Sequence, residues 1–334
     1  MSTLRIATLN CLNLARPGVR VYPAVDPYTK DEYRAKVAWL AAQLDRLDAD
    51  IVALQEVFHA SCLADLVTQM TSSDGWAWAA PAADAQNLRP RLAMMWRKEI
   101  ALQIESLADM PEHCAVQVPE LGWHAQYSRP MLCATLSMEA KAAPLRIVNV
   151  HLKSRRPRYV EMEDPSCPQT QARGQLRSLI MRAAEAAALR HWIVRARMHR
   201  PAPLMVVGDF NDADQAATTR LVSDPLWHDD EAGAASGLRH RLRNALELCP
   251  SSESSFTHCA GGRPERIDHI YVSEEFAADG PLAWAKVCAV QTLDQHLGVV
   301  LSQAGQSARQ SPSERLRTQS DHAAVCVSIE FGEA

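Results

Sequence analysis

Six apolar, strand-like runs in this 334-residue sequence each adjoin a residue able to bind a cation, move a proton or grip an oxyanion. Asn10 closes Leu4-Arg5-Ile6-Ala7-Thr8-Leu9, Glu56 closes Ile51-Val52-Ala53-Leu54-Gln55, and His151 follows Ile147-Val148-Asn149-Val150. Asp209 and Asn211 follow Leu204-Met205-Val206-Val207-Gly208, Asp268 lies inside Arg266-Ile267-Asp268-His269-Ile270-Tyr271-Val272, and Asp321-His322 opens Ala323-Ala324-Val325-Cys326-Val327. A carboxylate, amide or imidazole at a strand terminus is placed by the sheet yet remains reachable from solvent. Several such ends brought together make one acidic, histidine-containing cleft suited to metal-assisted acid–base chemistry.

The series resembles the endonuclease/exonuclease/phosphatase superfamily, the deoxyribonuclease I-like hydrolases. The matching stretches are Thr8-Leu9-Asn10, Leu54-Gln55-Glu56, Asn149-Val150-His151-Leu152-Lys153-Ser154, Gly208-Asp209-Phe210-Asn211-Asp212, Arg266-Ile267-Asp268 and Ser320-Asp321-His322, in the family's order. The resemblance implies a divalent-metal-dependent phosphodiester hydrolase, foremost a nuclease acting by in-line attack of water. An enzyme of phospholipid (sphingomyelin-like) or inositol phosphate head groups would share every one of these residues. An inactive interaction module on the same scaffold is a third reading, set against the presence of the complete residue set.

Phosphodiester hydrolysis requires the non-bridging oxygens to be neutralised, a water to be aligned in line, and the leaving oxygen to be protonated or coordinated. Oxygen ligands favour Mg²⁺ or Mn²⁺, held by one or two carboxylates. Glu56 is the first ligand, and the resemblance adds Asn10 and Asp321. It implies that Asp209 orients or deprotonates the water or holds a second metal, that Asn211 donates to the phosphate, that His322 contacts phosphate and helps position or activate the nucleophile, with Asp268 a candidate acidic partner, and that His151 touches the phosphate or leaving oxygen. Abasic-site endonucleases of this family place a tyrosine segment where Asn149-Val150-His151-Leu152 stands, which argues against that role. They also carry an acid two residues after the first asparagine, where this chain has Leu12.

The elements that must position these residues follow from pattern. Strand-type runs fall near 3–9, 50–57, 91–97, 131–138, 145–152, 204–209, 266–272, 285–291 and 323–331. Thr29-Lys30-Asp31-Glu32 reads as a capping box ahead of the stripe Tyr33, Val37, Leu40, Leu44, Leu47. A second helix is expected over 172–197 with Leu176, Ile180, Ala183 and Ala187 inward and its arginines outward, and shorter helices near 61–71, 214–222 and 240–248. Runs of strands with helices between them, rather than strict βαβ alternation, suggest an α/β (α+β) fold of two mixed sheets packed face to face with helices outside. That four-layer αββα sandwich is also what the resemblance implies. Because the site residues come from both ends of the sequence, one catalytic domain over 1–334 is expected.

Net charge is −4, so nucleic acid would be held by local patches rather than a global field. Arg outnumbers Lys 29 to 6, and Arg suits bidentate phosphate contact. Candidate patches are Arg89-Pro90-Arg91, Arg155-Arg156-Pro157-Arg158 and Arg239-His240-Arg241-Leu242-Arg243. Segments 154–171 and 302–320 lack periodicity and adjoin His151 and Asp321, so substrate choice is assigned to them through Arg155, Arg156, Arg158, Arg309, Arg315 and Arg317. Nine scattered cysteines without a C-x-x-C pair suggest reduced thiols, and no apolar run reaches the ~18 residues of a membrane span. With the first strand beginning near Leu4, a signal peptide is not expected and a cytoplasmic location is. The oligomeric state is left open.

Overall fold

The computed structural model describes residues 3–331 apart from 24, 82–87, 138–142, 199–201, 224–239, 250–254, 261, 279–281 and 299–316. One six-stranded sheet contains β1 (Thr3–Leu14), β2 (Ile51–Val57), β3 (Trp76–Ala79), β4 (Arg91–Arg97), β15 (Ala285–Leu293) and β16 (Ala324–Phe331) in the order β15-β16-β1-β2-β4-β3. The other contains β5 (Leu102–Asp109), β8 (Gln126–Leu136), β9 (Leu145–His151), β10 (Leu204–Asp209), β11 (Leu242–Asn244) and β14 (Asp268–Ser273) in the order β11-β14-β10-β9-β8-β5. Both are mixed: β1 with β2 and β9 with β10 run parallel, and the other pairs are antiparallel. Two small hairpins stand outside them, β6 (Val116–Val118) with β7 (Gly122–His124) and β12 (His258–Ala260) with β13 (Arg263–Glu265).

Period-2 alternation divides the side chains of each central strand between two cores. Ile6, Ile51, Ala53 and Met94 of the first sheet meet Ile147, Met205, Val207 and Ile270 of the second in the layer between them. The opposite face of the first sheet, with Ala7, Leu9, Val52 and Leu54, is covered by helices α1 (Lys30–Leu47) and α2 (Ser61–Gln69) through Val37, Leu40, Leu44, Leu63 and Leu66. The outer face of the second sheet, with Val148, Val150, Leu204 and Val206, is covered by α3 (Pro168–Met198) through Ala184, Ala188, Leu189 and Ile193, with Val222 of α4 (Ala217–Ser223) in the same layer. The four layers are therefore helix, sheet, sheet, helix. Thr29 and Glu32 form the expected capping box, and Asp48 ends α1 in the left-handed conformation.

The same alternation carries functional side chains to one edge. Ile6, Thr8 and Asn10 share a face of β1, as do Ile147, Asn149 and His151 on β9, and Met205, Val207 and Asp209 on β10. Beneath that edge the sheets are pinned by polar groups: Gln55 Nε2 donates to Asn149 Oδ1 at 2.8 Å and to Thr8 Oγ1 at 3.0 Å, and Asn149 Nδ2 donates to the carbonyls of Leu54 and Ala93. At Gly208, φ is +137° and an added Cβ would stand 2.0 Å from the Val150 carbonyl oxygen, so only glycine lets β9 and β10 lie this close.

Three expectations need correction. Leu176 is half exposed, and Ile180, Ala183 and Ala187 are only partly covered. The buried face of the first half of α3 is instead Thr170, Gly174, Arg177, Ser178 and Arg182, because it packs on the 154–167 segment and the β6–β7 hairpin rather than on the sheet. Residues 240–248 form β11 and then only a short helix, Ala245–Leu248, capped by Asn244. Asp268 opens β14 instead of lying inside it, which puts it opposite Asp209 in the antiparallel register.

Candidate active site

Asp209, the last residue of β10 and 1 % exposed, is the hub of the cluster. Asn10 Nδ2 donates to its Oδ2 at 3.0 Å, His151 Nε2 lies 3.2 Å from the same oxygen, and Asn211 N donates to Oδ1 at 2.8 Å. His322 lies alongside, with Nδ1 2.8 Å from Asp268 Oδ2, and Nε2 3.5 Å from Asn10 Nδ2 and 4.0 Å from Asp209 Oδ2. Asn211 holds φ at +54° and donates Nδ2 to the Leu152 carbonyl, immediately after His151. Asn10, His151, Asp209, Asn211, Asp268 and His322 are thus joined by direct contacts drawn from both sheets.

Asp321 adjoins them, with Oδ1 3.8 Å from His322 Nε2. Glu56 leaves the strand pattern through a left-handed backbone at φ +59°, and its Oε2 accepts from Asn13 N at 2.9 Å. Lys36, fully buried in α1, links the two acids electrostatically. Burial pulls its ammonium down to about 8 against the opposing pull of Cys11, Asp321 and Glu56, and its Nζ donates to the Gln319 carbonyl at 3.0 Å.

Burial and the neighbouring Asp268 push the Asp209 carboxyl up to about 7, against His322 and the hydrogen bonds from Asn211 and Asn10. Burial, with Arg129, His322 and Lys153 nearby, holds His151 well below the ordinary imidazole range, so it is neutral at pH 7. Burial also disfavours charge on His322, but Asp268, Asp209 and Asp321 outweigh it and hold this imidazole well above that range. One carboxyl poised near neutrality, one neutral histidine and one cationic histidine give the cluster a base, an acceptor and an anion contact. His151 Nδ1, Asp268 Oδ1 and Asp321 Oδ1 are buried with no hydrogen-bond partner among the described residues.

Several participants were not singled out from sequence. Thr257 Oγ1 accepts from the backbone N of both Ile267 and Asp268, and Ser320 Oγ donates to the Asn10 carbonyl while accepting from His322 N. His258 lies 4.9 Å, ring to ring, from His322. Arg129 NH1 lies 3.4 Å from the same Leu152 carbonyl that Asn211 reaches. Ser320 stands inside the Ser-Asp-His motif and carried a local signal; His258 and Arg129 carried none.

The basic patches are less free than their sequence suggests. Arg155 pairs with Glu265, Arg317 with Glu32 and the carbonyls of Asp26 and Pro27, and Arg91 with the carbonyls of Pro81 and Phe58. Arg156 and Arg158 are exposed, whereas Arg239, Arg309 and Arg315 lie outside the described residues. A cavity of about 710 Å³ between β5, β8 and the C-terminal half of α3, lined by Tyr127, Met131 and Trp192, contains none of the cluster.

A model of the Endonuclease/Exonuclease/phosphatase family matches residues 7–322. Among solved structures, the human Nocturnin catalytic domain with bound sulfate anion superimposes with a TM-score of 0.56 at 17% identity, covering 99% of this chain and 95% of that one. An endonuclease/exonuclease/phosphatase from Bacteroides vulgatus gives 0.54 at 15% identity, covering 99% of this chain and 100% of that one. A mannosyl-6-phosphatase from Bacteroides thetaiotaomicron gives 0.51 at 16%, covering 98% and 100%. At these identities the likeness shows the fold. No curated protein sequence matches the chain.

Proposed function

Because the chain belongs to the endonuclease/exonuclease/phosphatase family, whose members hydrolyse phosphoester bonds, we propose that it is a Mg²⁺- or Mn²⁺-dependent phosphodiesterase acting on nucleic acid. The observation that carries this reading is the hydrogen-bonded set around Asp209, in which one buried carboxylate contacts Asn10 and His151 and adjoins the His322–Asp268 pair. We read the chain as one cytoplasmic catalytic domain. Its nine cysteines are unpaired, and no helix among the described residues is long and apolar enough to cross a membrane.

A divalent cation fits this donor set. Among the described residues, Asp209 and Asp268 are buried side by side without an Arg or Lys bonded to either, and Asp268 Oδ1 and Asp321 Oδ1 have no hydrogen-bond partner. Asn10, Glu56 and Asp321 would hold the ion, which supplies positive charge to the phosphate and lowers the pKa of water. Asn10 here turns its NH₂ to Asp209 and its Oδ1 to Leu12 N, so it also orients the hub carboxylate. Asp209, poised near pH 7, accepts a proton from the attacking water. His151, neutral and with Nε2 3.2 Å from Asp209 Oδ2, touches the phosphate or leaving oxygen, and Asn211 donates to a non-bridging oxygen. His322, oriented by Asp268 through Nδ1, stands on the phosphate side of the cluster.

A second reading, a phospholipid or inositol phosphate head group as substrate, is favoured by one observation. Arg155 and Arg317, two of the arginines assigned to flanking phosphates, are already paired with Glu265 and Glu32. Labelled DNA, RNA, sphingomyelin and inositol phosphates, each assayed with Mg²⁺ and with chelator, decide between them. Metal-dependent cleavage of DNA or RNA is expected, and turnover of the small esters alone would replace the nuclease reading.

A further inference from the structure

His258 stands against the proposed cation site from a side that the sequence did not indicate. It opens β12, pairs across the hairpin with Glu265, and forms an isolated bridge with His322. The hairpin is tied to the 154–167 segment by the Arg155–Glu265 ion pair. His258 Nε2 lies 3.8 Å from Asp321 Oδ2, and His322 Nε2 lies 3.8 Å from Asp321 Oδ1. Both separations are too long for hydrogen bonds although the partners are complementary. One donor atom from each of the three residues lies within 4.8 Å of the others. Two ligands each about 2.0–2.2 Å from an ion stand about 3–4 Å apart, so the gap is ion-sized. Asp321 Oδ1 is buried with no hydrogen-bond partner among the described residues, and His322 is oriented by Asp268 through Nδ1, which leaves Nε2 to face a metal once the ion displaces its proton.

We propose that His258, Asp321 and His322 form a cation site with two nitrogen donors and one carboxylate, and that His258 makes it favour transition-metal ions over Mg²⁺, Co²⁺ and Zn²⁺ most strongly and Mn²⁺ less. Imidazole binds Zn²⁺ and Co²⁺ well and Mn²⁺ more weakly alongside oxygen donors, whereas Mg²⁺ takes oxygen donors and keeps its waters. The oxygen supply from β1 is thin: Leu12 offers no carboxylate, and the Asn10 amide is engaged on both sides. The inference rests on the reading of Asp321 as a cation ligand, and binding measured without substrate lets it fail separately from the hydrolase reading.

The test titrates Mn²⁺ and Co²⁺ into the full chain, following free Mn²⁺ by electron paramagnetic resonance and Co²⁺ by visible absorption, with Mg²⁺ as competitor. His258→Phe keeps a ring packed on His322 and removes the donor. It is expected to weaken Mn²⁺ and Co²⁺ binding by at least the roughly 10–100-fold that loss of a supporting partner costs, with the Mg²⁺ constant and thermal melt unchanged. His258→Asp should restore binding with preference moved toward Mg²⁺. A wild-type protein that binds Mg²⁺ as tightly as Mn²⁺, or a His258→Phe variant indistinguishable from wild type in Mn²⁺ affinity, would overturn the assignment. Loss of Mg²⁺ affinity equal to that of Mn²⁺ in His258→Phe would do the same. If the binding pattern holds while no phosphodiester is cleaved, the cation site stands and the hydrolase reading falls.

Discussion

Two buried polar clusters lie within a few residues of each other along β9 and its exit, and they are built to opposite rules. On α3, Glu185 accepts from His124 Nε2, Ser128 N, Ser128 Oγ and Lys153 N, while Arg182 donates to Asp212 and to the Lys153 carbonyl. Arg177 reaches Glu163 with two nitrogens and also bonds Glu120 and the carbonyls of Pro119 and Arg158. Around Asp209, by contrast, three buried polar atoms lack hydrogen-bond partners among the described residues, and two carboxylates face each other across adjacent strands. The acids respond in opposite directions. Burial opposes ionisation of Glu185, yet its donors hold it below the usual carboxylate range, whereas burial and Asp268 push Asp209 up to about 7. A saturated network fixes structure, and an unsaturated one is left for a ligand to complete.

The sharpest way to break this contrast is to remove the ligand or the hub. Chelator should abolish hydrolysis, and His151→Ala and Asp209→Asn should each lower kcat by on the order of 10² or more. Thermal melts in chelator should show no loss of stability in Asp209→Asn, since a strained buried charge is removed. Near-wild-type kcat in both variants would place the chemistry elsewhere.

Next in size is the saturated cluster, where the expected damage is to folding. Glu185→Ala strands Ser128, His124 and the Lys153 amide, and breaking such a buried arrangement costs about 3–5 kcal/mol, readable by urea denaturation. A mild effect would mean that water replaces the carboxylate and that the two clusters are less different than they look.

A smaller effect separates the clusters by pH. His322 is held above its ordinary value, so its stabilisation is complete below about 6.5 and is lost as pH rises through the raised value. The raised Asp209 acts in the same direction up to about pH 7, because the folded state holds a proton that the unfolded chain releases. Metal-free protein should therefore melt at progressively lower temperature from pH 6.5 to 9, and Asp268→Asn should flatten that slope. A slope unchanged in Asp268→Asn would show that the His322–Asp268 pair does not set it. The smallest effect is expected at Arg155/Arg156/Arg158→Ala. With Arg155 already paired, KM on DNA or RNA should rise modestly and its salt dependence flatten, leaving kcat on a minimal diester unchanged. A KM that does not move clears that segment of polyanion contact.

What could be read from sequence tracks how local each determinant is. α1 announced itself through the Thr29–Glu32 box and an apolar stripe, and the site strands through runs ending in Asn10, His151 and Asp209. The buried face of α3 was misread because its neighbours are polar segments, so Arg177 and Glu185 occupy positions where a hydrophobic stripe was sought. His258 was missed because its partners, Asp321 and His322, are reached only through the fold. Short strands such as the four-residue edge strand β3 and the three-residue hairpin strands carry too little alternation to stand out.

The pairing of β1 with β16 gives the cleft a place in time. Asn10 and His322, 3.5 Å apart, are separated by 312 residues. At translation rates of about 5–20 residues per second, the two are synthesised roughly 15–60 s apart. A nascent chain carrying Asn10, Glu56, His151 and Asp209 but not yet extended to residue 321 lacks both the imidazole and the carboxylate that close the cleft. The cleft therefore closes only after its last two members are made, and a chain truncated upstream of residue 321 lacks both Asp321 and His322.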